Sequence, residues 1–492
     1  MKFTHYIQFC ILNIFTLYTA SVFAQSDFCG TRVVDQEKSI QSISAVSQHF
    51  RPDQGIQYVP LKIHTVANDN ASSFYIGWQV FETLCTLNED FLPTGIQFFL
   101  EEDFNYIKNT SWNNHEGYEK GEEMMVESNV PNMVNCYLVS NPAGNCGYFT
   151  YQGDGIALNK TCLGKTSHTW AHELGHFFSL PHTFFGWEGI NYSNGKKTSE
   201  YAGQVSRQIE NIVRTQCKRQ GDLFCDTYPD YISNRWTCNE DGKSSMILRD
   251  LQDSTFRADG TLFMSYSNDQ CMNRFAAEQM DAMHKSLNGP RAELLRPQVQ
   301  PKMIDQSELS LEFPLDSLEL SGTDVLLRWE EVPNARYYVI QISRTSNFSI
   351  IVKNLLLTKP EVLVDSLTSG KNFWWRVRAY SEFDFCGAES KVGYFKTQPT
   401  IVGTGDLIKG QVLLYPNPVA AGGKTFFRVK DSNQHIQQIQ MMSLNGHVIA
   451  MPEFFQANEG IVISIPSDLN GMYIIRIVGT DSSYLTKINI QY

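Results

Sequence analysis

The chain has 492 residues, a formal net charge of −12 and a sequence pI of about 5.4. That acidic balance, with no basic stripe, excludes a nucleic-acid binder, which needs Lys and Arg gathered on one face. The length leaves room for three domains at roughly 100–200 residues each, and the charge favours solubility without defining a substrate.

The N-terminus carries Lys2, an apolar run through residues 6–18, and Val22-Phe23-Ala24 before Gln25. This pattern reads as a secretory signal peptide over 1–24, cleaved after Ala24. No later stretch is long and apolar enough to span a bilayer, so no transmembrane anchor is expected. Of the 11 cysteines, Cys10 lies in the signal peptide. An even set then remains, which exported chains usually pair. Residues 25–55 form an N-terminal extension or pro-segment. It contains Cys29 within DFCGT, for which the plain expectation is a disulfide, for instance with Cys85.

Residues 56–290 read as an α/β catalytic domain. Strands are expected at 58–66, 95–103, 134–139 and 154–160, with an amphipathic helix from about Ser73 to Asn88. The most informative stretch follows, HELGHFFSLPH at 172–182. On a helix His172 and His176 lie one turn apart on the same face. Two imidazoles at that spacing suit a tetrahedral zinc, and His182 can complete a three-ligand site with one open position. Glu173 then sits beside the metal's water as a general base. Trp170, Leu174, Phe177 and Phe178 make a buried stripe at i, i+4, i+7 and i+8, and at about 100° per residue the two histidines point away from it, toward a cleft. Thr166 or Ser167 is expected to cap the helix, and His168 reads as an exposed polar residue near its start. Pro181 turns the chain out of the helix after Leu180, as a third ligand ten residues beyond the first requires.

Downstream come GDLFCDTYPD (221–230), TLFMSYSNDQCMNRF (261–275) and a closing helix at 278–287. Cys217, Cys225, Cys238 and Cys271 cluster around these segments, and four cysteines allow three connectivities that sequence does not choose among. A linker spans 291–309. In a second domain, 310–398, Val325, Leu327 and Trp329, and later Phe373, Trp375, Val377 and Ala379, alternate with outward positions, the period-two mark of half-buried antiparallel strands. After a linker at 399–410, residues 411–492 form a third unit with LLYPNP at 413–418 and LNGHVI at 444–449.

The 172–182 segment resembles the elongated metzincin motif, with Ser179 where that motif has glycine. The 221–230 and 261–275 segments are similar to those of the pappalysin family. The fold this implies is a metzincin-like α/β domain, a mixed twisted sheet with a zinc-binding helix, followed by two all-β sandwich-like domains. The resemblance makes Met264 the floor of the zinc site and Tyr266 a hydrogen-bond donor to the tetrahedral intermediate. It assigns Asp222 and Thr227 to a calcium ion, with Asp226 as a neighbour. It also offers Cys29 as a latency switch whose thiolate takes the water's position on zinc. The FWWRVRAYS run resembles a fibronectin type III sandwich, and the tail resembles a type IX secretion C-terminal sorting domain. That tail implies export through the outer-membrane secretion machinery of a Gram-negative bacterium. The expected function is a secreted or surface-attached zinc endopeptidase acting on extracellular proteins and peptides. The competing class is a cell-surface binding protein or adhesin with a structural or inactive zinc domain.

Overall fold

The computed structural model describes residues 27–44, 46 and 55–491, except 76, 306–308, 315–317, 321–323, 388, 399–411, 430–435, 444–446, 458–459 and 480–482. The signal peptide, the 399–410 linker and the start of LNGHVI lie outside the described residues. The chain divides into two compact units: residues up to 313 with 328–362 and 374–393, and residues 314–327 with 363–373 and 394–492.

The first unit is built on a seven-stranded mixed sheet. At its centre β2 (Gln57–Ala67) is buried from Val59 to Ala67, as expected of a strand covered on both faces. It follows β1 (Asp27–Cys29) and pairs in parallel with β3 (Ile96–Leu100), β4 (Asn105–Lys108) and β6 (Val134–Val139). Between them β5 (Asn114–His115) and β7 (Asn141–Pro142) form a short side ladder. The far side of the sheet runs β6, β9 (Gly155–Asn159), then β8 (Asn145–Thr150), and β8 is antiparallel to β9. β1 is laid parallel on the outer edge of β8. The helices are α1 (Val33–Ile43), α2 (Trp78–Phe91), α3 (Thr110–Asn113), α4 (Tyr118–Ser128), α5 (Thr169–Phe177) and α6 (Ala277–Leu287).

The expected strands are all present. The helix expected from Ser73 to Asn88 is α2, which starts later and ends at Phe91. Ala71 has φ +62° and Ser73 φ +73°, left-handed positions at the end of and just beyond a loop closed by Ala71 N–H donating to Asn68 O at 2.8 Å and Asn68 N–H to Ser72 O at 3.0 Å, so no helix begins there. At the other end the apolar stripe Val80, Leu84, Leu87, Phe91 carries the helix one turn further.

Among the described residues four disulfides form: Cys85–Cys386, Cys146–Cys162, Cys217–Cys225 and Cys238–Cys271. The last two pairs are one of the three connectivities the sequence left open. Cys29 is not joined to Cys85: it is free and buried, as is Cys136, because Cys85 on α2 meets Cys386 instead.

Within the first unit the wholly buried strand Tyr337–Ser343 pairs antiparallel with Ile351–Leu357 and with residues 374–380. Trp329, Trp375, Val377 and Ala379 point inward, as the alternation required. The stretch 291–296, read as the start of a linker, packs back on the α/β core. The Arg291 guanidinium lies 3.5 Å from the Phe177 ring centre and Arg296 pairs with Glu101 at 2.9 Å. In the second unit the tail strands form a four-stranded and a five-stranded sheet. Phe427, Ile439, Met441, Ile463, Ile475 and Ile488 fill their shared core, a β-sandwich by construction.

Candidate metal centre

Helix α5 carries the first two histidines and is buried along its whole length. His168 holds the N-cap position without a side-chain cap of its own, but the Ser167 hydroxyl accepts from the Thr169 N–H at 3.4 Å while donating to Cys162 O at 2.6 Å, so of Thr166 and Ser167 it is Ser167 that takes an orphan amide at the helix start. His168 is not exposed: its Nδ1 sits 2.7 Å from Asp90 Oδ2, and its backbone N–H donates to Asp269 Oδ1 at 3.1 Å. The helix ends in a Schellman turn, with Leu180 N–H on Gly175 O and Ser179 N–H on His176 O, both at 2.9 Å. Ser179 occupies the left-handed position of that turn at φ +77°, where glycine is usual. The turn, followed by Pro181, brings His182 back over the helix.

There the three imidazoles meet. His176 Nε2 and His182 Nε2 are 3.1 Å apart, and the His172 ring centre is 4.8 Å from that of His176 and 5.3 Å from that of His182. Each ring is held from behind. His172 Nδ1 donates to Phe263 O at 2.6 Å and His176 Nδ1 to Leu180 O at 2.7 Å, which leaves both Nε2 lone pairs facing the centre. Burial, followed by the neighbouring imidazoles, lowers His172 and His176 well below the usual histidine range; burial alone takes His182 to about 3. All three are therefore neutral, the form that ligates a cation. His172 Nε2 is buried with no hydrogen-bond partner. An orphaned acceptor at the focus of neutral imidazoles fits zinc.

Two residues hold His182. Gln36 on α1 accepts from its backbone N–H at 3.0 Å and sets its own Nε2 3.1 Å from Nδ1. Glu188 Oε1 lies 3.3 Å from the same Nδ1, while Glu188 Oε2 accepts from Gly186 N–H at 2.7 Å. Burial pushes Glu188 up to about 7. The sequence signal for Glu188 is a lone acid in the apolar run FFGWEG. Gln36 had none beyond its nearness to Cys29.

The N-terminal segment fills the cleft. Cys29 Sγ and one ring nitrogen from each of His172, His176 and His182 all lie within 4.8 Å of one another. The Cys29 thiol also reaches Glu173 Oε2 at 3.5 Å, and the Thr31 hydroxyl donates to that oxygen at 3.0 Å. Burial, then the Glu173 carboxylate, push the Cys29 thiol well above its ordinary range. Burial pushes Glu173 up to about 8. Tyr266 donates its hydroxyl to Cys29 O at 2.7 Å; burial, then Cys29, raise its pKa far enough to keep it a neutral donor. Cys29, Glu173, Tyr266 and the three histidines thus share one site.

Two close approaches shape its walls. A Cβ on Gly175 would fall 2.3 Å from Met264 Sδ, and one on Gly147 would fall 2.9 Å from Glu173 Cγ. Met264 therefore packs directly against α5, and Glu173 against β8. Asp222 and Thr227 lie elsewhere in the unit, bonded to each other at 3.0 Å. Asp222 Oδ2 and Glu210 Oε1 are buried without partners. Burial, with a further rise from Asp222 on Glu210, puts Asp222 at about 8 and Glu210 at about 9. Two orphaned buried carboxylates fit a hard cation. Glu210, which no motif marked, joins that pair; Asp226 instead accepts from Glu278 N–H at the start of α6.

Residues 413–491 match the family model of the secretion system C-terminal sorting domain. An extracellular metalloprotease of Pyricularia oryzae is 28% identical over 203 residues, 36% of this chain and 68% of that one. Another, from Podospora anserina, is 28% identical over 229 residues, 40% of this chain and 77% of its own length. Among solved structures, a mutant promirolysin of Tannerella forsythia aligns with 54% of this chain and 96% of its own, at 18% identity and a TM-score of 0.37. The chain is a secreted or cell-surface protein. No helix among the described residues is long and apolar enough to cross a membrane.

Proposed function

We propose that the chain is a secreted zinc endopeptidase of the pappalysin-like metzincin type, made in a latent form. One observation carries this reading: three neutral imidazoles converge on a point that Glu173 and the Cys29 sulfur also reach. His172, His176 and His182 would hold the zinc, which when bound supplies an acidified water and an electrophile for the carbonyl oxygen. Once the N-terminal segment leaves, the outer edge of β8 is free to pair with an extended peptide. Glu173 accepts the proton of the attacking water and returns it to the leaving amine. Tyr266, released from Cys29 O, donates to the developing oxyanion. While the segment is docked, Cys29 blocks the position the water needs and Thr31 occupies the carboxylate. Asp222, Thr227 and Glu210 would hold a calcium ion that fixes the loop between them. The tail, 413–491, directs type IX export, and the intact Glu173 favours an enzyme over an adhesin.

The test compares zinc content and casein hydrolysis before and after removal of the N-terminal segment, with and without a chelator. One zinc per chain, with activity that appears on removal and vanishes with chelator, is the expected result. Glu173→Gln should keep the zinc and lose about 10²- to 10⁴-fold in rate. A processed protein without stoichiometric zinc, or an active Glu173→Gln variant, would overturn the reading.

A further inference from the structure

Next to Cys29, the Phe28 side chain is buried in a recess beside the first histidine. Its ring centre is 4.9 Å from that of His172 and 5.5 Å from that of Tyr266, edge-on to both. The guanidinium carbon of Arg235 lies 3.8 Å from the Phe28 ring centre. That guanidinium is not free to swing. Nη1 donates to Ser267 O and Nη2 to Asp269 Oδ2 at 2.9 Å, while Asp269 Oδ1 takes the His168 N–H at the head of α5. Trp236 is in turn tied to Tyr266 O through its backbone N–H at 3.1 Å. The backbone after Met264 thus fixes Arg235 with its edge bonded and its flat face turned to the ring. The recess opens into a cavity of about 1090 Å³ that Ser167, Ser233, Asn234 and Asp269 also line.

We infer that this recess is a substrate subsite for an aromatic side chain next to the scissile bond, and that Phe28 occupies it in the latent form. The inference rests on the peptidase reading above. When β1 leaves β8, a ring-sized space opens between His172, Tyr266 and the face of Arg235. Charge decides which side chain fills it. A basic residue would need Asp269, whose two oxygens are already bonded to Arg235 and His168, and it would lie against the Arg235 cation. An acidic residue would meet Asp269 beside an Arg235 whose charge is already matched. An aromatic ring needs neither: it stacks on the guanidinium face, which remains unused, and meets the two neighbouring rings edge-on.

Two measurements test this. Processed, zinc-loaded protein is given a peptide series that differs only at the residues flanking the scissile bond, with Phe, Tyr, Leu, Lys or Glu. Phe and Tyr are expected to exceed Leu by about 2- to 30-fold in kcat/KM, the range of a stacked guanidinium, with Lys and Glu poorest. Arg235→Met should bring the Phe-to-Leu ratio close to one at unchanged zinc content. Preference for Lys or Glu, no preference, or an Arg235→Met variant that keeps the ratio would overturn the subsite. The second measurement needs no catalysis. In the full chain, the rate at which iodoacetamide modifies Cys29 reports undocking of the N-terminal segment. Phe28→Tyr should leave that rate near wild type, while Phe28→Leu and Phe28→Glu raise it; equal rates for all variants would overturn the proposal. Should the ordering appear while no peptide is cleaved, the peptidase reading fails and the aromatic recess stands.

Discussion

In the proposed mechanism Glu173 has to be placed for proton transfer and kept idle while the N-terminal segment is docked. Its neighbours meet both demands: Gly147 gives it room against β8, while Thr31 and Cys29 take up Oε2. His182 has a similar double arrangement. Gln36, on α1, and Glu188, beyond α5, both face its Nδ1. With the N-terminal segment removed, as proposed, Glu188 would be the side chain left in position to orient that ring. A partner behind a ligating imidazole fixes its tautomer and raises its basicity. Glu188→Ala is therefore expected to weaken zinc binding in the processed protein by about 10- to 100-fold; the Gln36 amide nitrogen that faces the same Nδ1 can only donate and is no substitute for the carboxylate. Competition with a chromophoric chelator reads the value; an unchanged affinity would count against this role for Glu188.

Among the elements, the turn after α5 carries strain that the site can tolerate. Ser179 at φ +77° costs on the order of 1–2 kcal/mol relative to a right-handed residue. Glycine would relieve that strain but lose about 0.5–1 kcal/mol in unfolded-chain freedom and give up the 3.2 Å contact with the Ser286 hydroxyl. Ser179→Gly should therefore raise stability only slightly, with zinc affinity unchanged, as denaturant melts and chelator titration would show. Strand β2 has a different sensitivity. His64 stacks on Tyr137 at 4.2 Å and bonds Asn135 and Asn105, both at 3.0 Å. Burial, the largest cause, lowers it from 6.5 to about 4. The folded pKa lies below the unfolded one, so this stability is complete above pH 6.5 and is lost as the pH falls toward 4. The shift corresponds to about 3 kcal/mol. His64→Gln should flatten that part of the pH dependence of Tm; an unchanged slope would count against the assignment.

At the scale of the molecule, the first unit is stapled as well as packed. Cys85 on α2 is joined to Cys386, 301 residues away in sequence. Around it Phe81 stacks on Tyr380 at 4.0 Å, Leu100 N–H donates to Glu382 O at 2.9 Å, and Arg336 bridges Asp103 and Glu382. A bridge closing so long a loop restricts the unfolded chain. Replacing both cysteines by serine should lower unfolding free energy by about 2–5 kcal/mol and leave peptide turnover close to wild type, because the staple lies on α2 and touches none of the three histidines. Calorimetry with a parallel rate assay checks this, and a matching loss of rate would tie the staple to the site itself.

What the chain reveals unaided is periodic and local. The His172–His176 spacing, the apolar stripe of α5, the stop at Pro181 and the strand alternation around Trp375 each lie within one turn or one strand, where backbone geometry fixes which residues share a face. Local reading failed where a turn intervened, as at Ser73, whose positive φ no composition marked. The partners of Cys29, Gln36, Glu188 and Arg235 depended on tertiary structure. Those contacts depend on how β1 seats on β8 and how the loop after α5 folds back, and bonds such as that between Cys29 and Glu173, 144 residues apart, have no spacing to read. Sequence determined which groups could bind a metal; packing of distant segments decided which of them meet, and which one keeps the centre covered.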